Sequence, residues 1–151
     1  MTQKPTQLKI STNSQLHQVL GYLLAMASLK TTAVFEDGVE RKFDLRRVEY
    51  TILEMISANP EMRSHQIAKR LNFTRPSTSA WIDKMEAKGL LKRKPDANDM
   101  RAIKLLLTKS GLAKLTQART AIEEGETTAM AMLTRAEQAI LKELLTKFAL
   151  S

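Results

Sequence analysis

The residues best equipped for chemistry in this chain are cations. From Gly89 to Thr108 the sequence reads GLLKRKPDANDMRAIKLLLT. Lys92, Arg93 and Lys94 climb toward a turn at Pro95-Asp96-Ala97-Asn98-Asp99, and Arg101 follows just past it. Upstream, Arg75, Ser77, Ser79 and Lys84 share one side of a stretch whose other side reads Thr78, Trp81, Ile82 and Met85, and Ser64 precedes a short apolar repeat. Such residues do not make or break covalent bonds. Lysine neutralises an anion as a point charge, and the planar arginine fork fits a phosphate or a guanine edge two hydrogen bonds at a time. Hydroxyls as small as serine's admit close approach to the same partners. Other chemistries are poorly supplied. The chain has two histidines, His17 and His65, no cysteine and no glycine-rich phosphate loop, and its carboxylates scatter along amphipathic faces. That excludes disulfides, a thiolate metal site and a thiol redox switch, and it argues against an enzyme, a metal sensor or a resident cofactor.

These cations need elements to hold them. Ser64 is placed to cap a short helix with Ile67, Ala68 and Leu71 facing inward, and Asn72-Phe73-Thr74 makes a tight turn. Thr74 then caps a second helix that tolerates Pro76 in its first turn and stops at Gly89. The period-two alternation of Ile103, Leu105 and Leu107 with Lys104 and Leu106 predicts the return strand of a β-hairpin. Helix, turn, helix, hairpin is the order of a winged helix-turn-helix, spanning 44–108. Before it, Leu16, Val19, Leu20, Leu23, Leu24 and Ala27 predict a helix from about Ser14. Val34 to Gly38 should end that helix, and a charged loop should run to Phe43. Asp44 should then cap a helix carrying Val48, Ile52 and Met55 or Ile56, with Phe43 and Val48 as a hydrophobic staple. After the hairpin, Thr108 or Ser110 starts a long helix with Leu112, Leu115, Ala118 and Ile122, bent at Gly125. Thr134-Arg135-Ala136-Glu137 is a capping box for a last helix with Ile140, Leu141, Leu144, Leu145 and Phe148. The fold class is mainly α with a small antiparallel β-wing.

The charge distribution supports the same assignment. The formal net charge is +8, and residues 63–104 hold 11 Lys/Arg against 4 Asp/Glu, whereas residues 1–62 balance at 7 and 7. An excess concentrated in the block that carries the two short helices and the hairpin is the footprint of a polyanion-binding surface; spread evenly, it would indicate only a soluble basic protein. With 43% hydrophobic and 26% charged residues the chain can bury a core. It has no apolar run long enough to span a bilayer and no signal-peptide pattern, so no membrane association and a cytoplasmic location are expected.

The stretch from Glu49 to Gly111 resembles the MarR family of bacterial transcriptional regulators. IDKMEAKGLLKRKPDANDMRA is especially similar, and Asp99 and Arg101 match the family's Asp-x-Arg wing motif. Two positions depart from it: Ala80 stands where many members carry a basic residue, and Thr78 where they carry an aliphatic one. The resemblance implies a single domain over 1–151, a homodimer held by helices in 13–35 and 109–151, a pseudo-palindromic double-stranded DNA operator, repression of transcription, and release by a small anionic, often aromatic, molecule. In this setting Ser64, Arg75, Ser77, Ser79, Lys84, Lys92, Arg93, Lys94, Asp99 and Arg101 are the expected DNA-contacting set. Arg101 would enter the minor groove, where narrowing concentrates negative potential, and Asp99 would pre-orient it.

Two further expectations rest on the residues themselves. The apolar stripes of the first and last helices exceed what the central lobe can cover, so a second copy is expected. Arg46 and Arg47 fall in a helix's first turn, where the dipole disfavours cations, so an anion held there would reverse an electrostatic cost. With His17, Tyr22 and Tyr50 as polar liners, the expected ligand is an anionic aromatic or an acyl-coenzyme A. The competing readings are that these arginines pair with acids such as Glu49 and that His17 is plain surface. At the level of function, the alternatives are a winged helix serving as a protein-interaction module, or one that binds DNA without any effector.

Overall fold

A computed structural model describes residues 15–96 and 103–150. A single turn of 3-10 helix, Gln15–Gln18, leads into α1 (Leu20–Phe35). The helix does not end where the sequence predicts. It continues through a π-helical turn, Glu36–Glu40, into α2 (Arg41–Phe43). Phe35 and Val39 explain the continuation: four residues apart, both are buried in the core, and an unwound loop between them would pull Val39 out. The arm stops at Asp44, which takes left-handed dihedrals (φ 48, ψ 46). Asp44 therefore terminates the first arm rather than capping the next helix. Two residues on, extended Arg46 (ψ 154) is the cap of α3 (Arg47–Ala58), and its N–H donates to Glu49 Oε2 at 2.9 Å. The intervening Leu45 is wholly buried, which sets the depth at which the chain re-enters the lobe.

The two short helices form as expected, with one shift at a cap. α4 (Ser64–Leu71) is capped from Arg63, whose N–H donates to Gln66 Oε1 at 2.8 Å; Ser64 is the first helical residue, not the cap. Asn72 adopts left-handed φ at the turn. Thr74 caps α5 (Arg75–Ala87), its Oγ1 accepting from Ser77 N–H at 3.2 Å, and the buried Thr78 hydroxyl donates back to the Thr74 carbonyl at 3.0 Å. Gly89, at φ 68, turns the chain into the hairpin. Strands β1 (Leu91–Pro95) and β2 (Ile103–Leu107) pair antiparallel, with Leu91 opposite Leu107 and Pro95 opposite Ile103.

Helix α6 (Lys109–Ala129) starts from Thr108, whose Oγ1 accepts from Gly111 N–H at 2.9 Å. It passes through Gly125 without a break in its helical span. The glycine admits α1: a Cβ at this position would stand 2.5 Å from Val34 Cγ1. Helix α7 (Arg135–Leu150) has the expected capping box, with Glu137 Oε2 accepting from Thr134 N–H at 2.7 Å.

One core joins these elements. Leu45, Ile52, Leu53 and Ile56 meet Met62 and Ile67, then Ile82, Met85, Leu90, Leu91 and Leu105, and Leu115 and Ala118 of α6 close it together with Phe35 and Val39. α7 contributes nothing to it and buries no residue. Among the described residues no helix is long and apolar enough to cross a membrane.

Gly111 is where α6 lies on the hairpin's backbone. A Cβ added there would meet the Leu90 carbonyl oxygen at 1.9 Å, and backbone on both sides leaves no flexible atom to give way. Gly111→Ala is expected to destabilise the lobe by about 1–3 kcal/mol or more, as overpacking does. The expected signature in urea unfolding is a lowered midpoint with an unchanged slope.

Candidate nucleic-acid interface

The start of α5 is a solvent-facing platform. Its inward residues, Thr78, Ile82 and Met85, are buried, which fixes the helix's rotation and leaves Arg75, Ser77 and Ser79 exposed together. Ser64, half-buried, opens α4. Lys92 and Lys94 alternate outward from β1 and stand exposed, with no ion-pair partner among the described residues. Trp81 is half-buried on the packing side, in keeping with a core rather than a base-stacking position.

Two of the expected contact residues are used differently. The Arg93 guanidinium turns back onto α5, where it pairs with Glu86 and with Asp83 Oδ1 (2.5 Å), while its backbone N–H donates to Glu86 Oε1 at 3.0 Å. It braces the wing against the helix instead of facing outward. Lys84 also turns away from the platform. Its ammonium lies 5.1 Å from the Trp81 ring centroid and 3.8 Å from Glu49 Oε1. Spacing along the chain does not reveal the carboxylates that these two long side chains reach.

A second brace was not legible at all. Asp96, expected only to shape the turn, is 4% exposed. Arg63 Nη2 donates to its Oδ2 at 3.0 Å, and Lys104 Nζ lies 3.4 Å from the same oxygen while also pairing with Glu61. The partner Arg63 is 33 residues away, so no local pattern could have signalled it. This cluster fastens the root of the wing to the N-terminus of α4. Asp99 and Arg101, at the wing tip, lie outside the described residues.

The residues expected to hold a ligand divide between two neighbouring crevices. His17 and Tyr22, whose rings meet edge-on at 6.1 Å, line a largely apolar crevice of about 500 Å³ between α1, α6 and α7. Arg47 and Tyr50 line another of about 310 Å³ with Thr31, Phe35, Ile122 and Glu126. Thr31 and Glu126 line both crevices; Arg46 lines neither. The Arg47 guanidinium carbon sits 5.2 Å from the Phe35 ring centroid. Glu49 does not pair with either arginine side chain; its carboxylate meets the Arg46 N–H and lysines of α5. Behind Tyr50, a polar chain ties α3 to α6. The Tyr50 hydroxyl donates to Glu54 Oε1 at 2.7 Å, and Arg119 grips Glu54 through Nε and Nη2 at 2.8 and 2.7 Å. Burial, with the Glu54 carboxylate beside it, pushes the Tyr50 hydroxyl up to about 12. The Arg119 hydrogen bonds hold Glu54 below the ordinary carboxylate value.

Residues 45–103 match the sequence model of the MarR family. The homoprotocatechuate degradative operon repressor of Escherichia coli is 31% identical over 133 residues, covering 88% of this chain and 89% of that protein. Among solved structures, the transcriptional repressor CouR, bound to a 23-mer DNA duplex, superposes with a TM-score of 0.81 at 27% identity, over 93% of this chain and 99% of that one. Apo MarR of E. coli superposes with a TM-score of 0.73 at 24% identity, over 85% and 96%.

Removing the Asp96 carboxylate would leave Arg63 and Lys104 facing each other at the wing root. Asp96→Ala is expected to cost about 1–3 kcal/mol, as for a lost buried partner, and to speed amide exchange in β1 and β2 ahead of the helices. Exchange in the strands no faster than wild type would remove the anchoring role. Because the Glu54 pKa is lowered by folding, its contribution is complete above the ordinary value of 4.5 and is lost as pH falls through the lowered one. The stability difference between wild type and Glu54→Gln should therefore shrink on acidification, read from urea unfolding at pH 7 and in steps below 4.5.

Proposed function

Because the chain belongs to the MarR family, whose members are DNA-binding transcriptional regulators and not enzymes, we propose that it is a homodimeric repressor of a pseudo-palindromic operator, released by a small aromatic carboxylate. The observation that carries this reading is the platform: Arg75, Ser77 and Ser79 at the exposed start of α5, flanked by Lys92 and Lys94 on the wing, all within the block that holds most of the net charge. A helix start of this kind fits the major groove, with Arg75 at base edges and Ser64, Ser77, Ser79, Lys92 and Lys94 at the backbone. Arg101 is assigned to the minor groove and Asp99 to aiming it. The 27% identical neighbour bound to a DNA duplex supports the docking mode.

The second copy is called for by uncovered apolar surface. Leu16, Val19 and Leu20 at one end, and Ile140, Leu144 and Phe148 on α7, are each at least half exposed in the single chain. Helices within 13–35 and 109–151 pairing between copies would bury them and set two α5 helices about one turn of DNA apart. The effector reading rests on the crevice of Arg47 and Tyr50, which offers a cation beside an aromatic wall, and on the 31% identical relative, named for an operon that degrades homoprotocatechuate, an aromatic acid.

Arg101→Ala is expected to weaken binding to a duplex selected by the wild-type protein by about 1–3 kcal/mol and to lower the salt slope by about one. An unchanged affinity across a salt series removes that role. Asp99→Ala should weaken binding although it deletes a negative charge; tighter binding contradicts the aiming role. Arg47→Ala should abolish release by homoprotocatechuate while leaving affinity for the duplex intact, measured by fluorescence anisotropy of labelled DNA.

A further inference from the structure

The far end of α5 carries a polar joint that none of the proposed DNA contacts uses. Glu49, on α3, is a carboxylate with no exposed surface. Its Oε2 accepts from the Arg46 N–H at 2.9 Å and from Lys88 Nζ at 3.2 Å. Its Oε1 has no aligned hydrogen-bond donor among the described residues and is met by charge alone, from Lys88 Nζ at 3.1 Å and Lys84 Nζ at 3.8 Å. Lys88 is the C-terminal cap of α5. The same ammonium donates to the Asp44 main-chain carbonyl at 3.0 Å and lies 3.1 Å from the Asp44 carboxylate. Asp44 is the left-handed residue that ends the α1–α2 arm. One side chain thus ties together the end of the N-terminal arm, the start of α3 and the end of the helix whose other end forms the platform.

An apolar filling of this site would carry a smaller desolvation cost than a buried ion pair. A charged joint, unlike apolar packing, has one geometry that satisfies it, because the ammonium must reach a main-chain carbonyl and two carboxylates at once. Burial disfavours the Lys88 charge, yet the hydrogen bonds to Asp44 and Glu49 outweigh it and raise the lysine's pKa above its ordinary value, so the ammonium stays charged. The terminal cap of α5 cannot shift relative to Asp44 without breaking it.

We propose that Glu49 and Lys88 are positioning residues that fix the angle of α5 to the N-terminal arm, and thereby the separation of the two α5 helices when the arms pair in the dimer. The inference rests on the DNA-binding dimer proposed above. It assigns spacing selectivity to residues that touch no DNA. A purely structural ion pair would affect stability but leave unchanged the preference for one half-site spacing over another.

The test uses the full chain. A duplex selected from random DNA by the wild-type protein is compared with versions carrying one base pair more or fewer between half-sites, and with a single half-site. Wild type should discriminate strongly against altered spacing. Lys88→Met and Glu49→Gln should bind the selected duplex on the order of tenfold more weakly, within the usual range of coupling between sites, with flattened spacing preference and an unchanged single half-site affinity. Glu49→Gln keeps the oxygen that caps α3. Should Lys88→Met fail to fold because it strands the Glu49 charge, the combined Glu49→Gln, Lys88→Met variant removes that charge and should still show the flattened preference. Trp81, the only tryptophan, reports the joint independently: Lys84 lies between its ring and Glu49, so Glu49→Gln should shift its emission in the absence of DNA. A folded combined variant that retains the wild-type spacing preference overturns the positioning role. A wild-type chain that selects no duplex overturns the DNA-binding reading itself, a result distinct from a preference that survives substitution.

Discussion

One hydrophobic core has to serve every element of the winged lobe, and its demands shape the rest of the molecule. Ile52, Ile67, Ile82 and Leu105 each come from a different element, and Leu115 and Ala118 of α6 form the lid. Gly111 lets the lid approach within contact of the Leu90 backbone, and Gly125 lets α1 lie against the far end of the same helix. Once Phe35 and Val39 are committed to this core, the arm must stay helical through the π turn and can stop only at Asp44. Among the described residues α7 buries no side chain, and Ile140, Leu144 and Phe148 are each more than half exposed in the single chain.

Around this core several cations act as braces: Arg93 onto Asp83 and Glu86, Arg63 and Lys104 onto Asp96, Lys88 onto Glu49 and Asp44. Arg75, Lys92 and Lys94 have no ion-pair partner among the described residues and stand exposed. The braces matter to binding without touching the ligand. A platform and a wing held by ion pairs lose less conformational freedom when they dock, and that loss is subtracted from the affinity of any interface. The joint at Lys88 extends the same logic from the lobe to the dimer, since it links the orientation of α5 to the arm that would meet the partner.

Much of this was legible in the sequence, and the failures share a cause. Thr74, Gly89 and the Thr134–Glu137 box are legible because caps and stops depend on neighbours within four residues, and of the two starts open for α6 the structure takes Thr108. The inward faces of α4 and α5 were read correctly because helical period alone dictates them. Asp44 was misread as a cap, since an aspartate before a helix has two local solutions, and only the burial of Leu45 and Val39 selects the left-handed one. The ion pairs of Lys84 and Arg93 had no signal in the sequence because spacing gives the direction of a Cβ and not the destination of a long side chain. The pairing of Asp96 with Arg63, 33 residues away, and of Lys88 with Glu49 and Asp44, 39 and 44 residues away, showed no local signal.

The sequence by itself determined the order of elements, the location of the positive charge and the family, because periodicity, capping and charge density are properties of short windows. Tertiary structure alone decided which cations are braces, where the first arm ends, and that one lysine joins three chain segments. Electrostatic energy depends on distance in space, and a carboxylate brought to within hydrogen-bonding range by the core changes a side chain's role in a way that no spacing along the chain encodes.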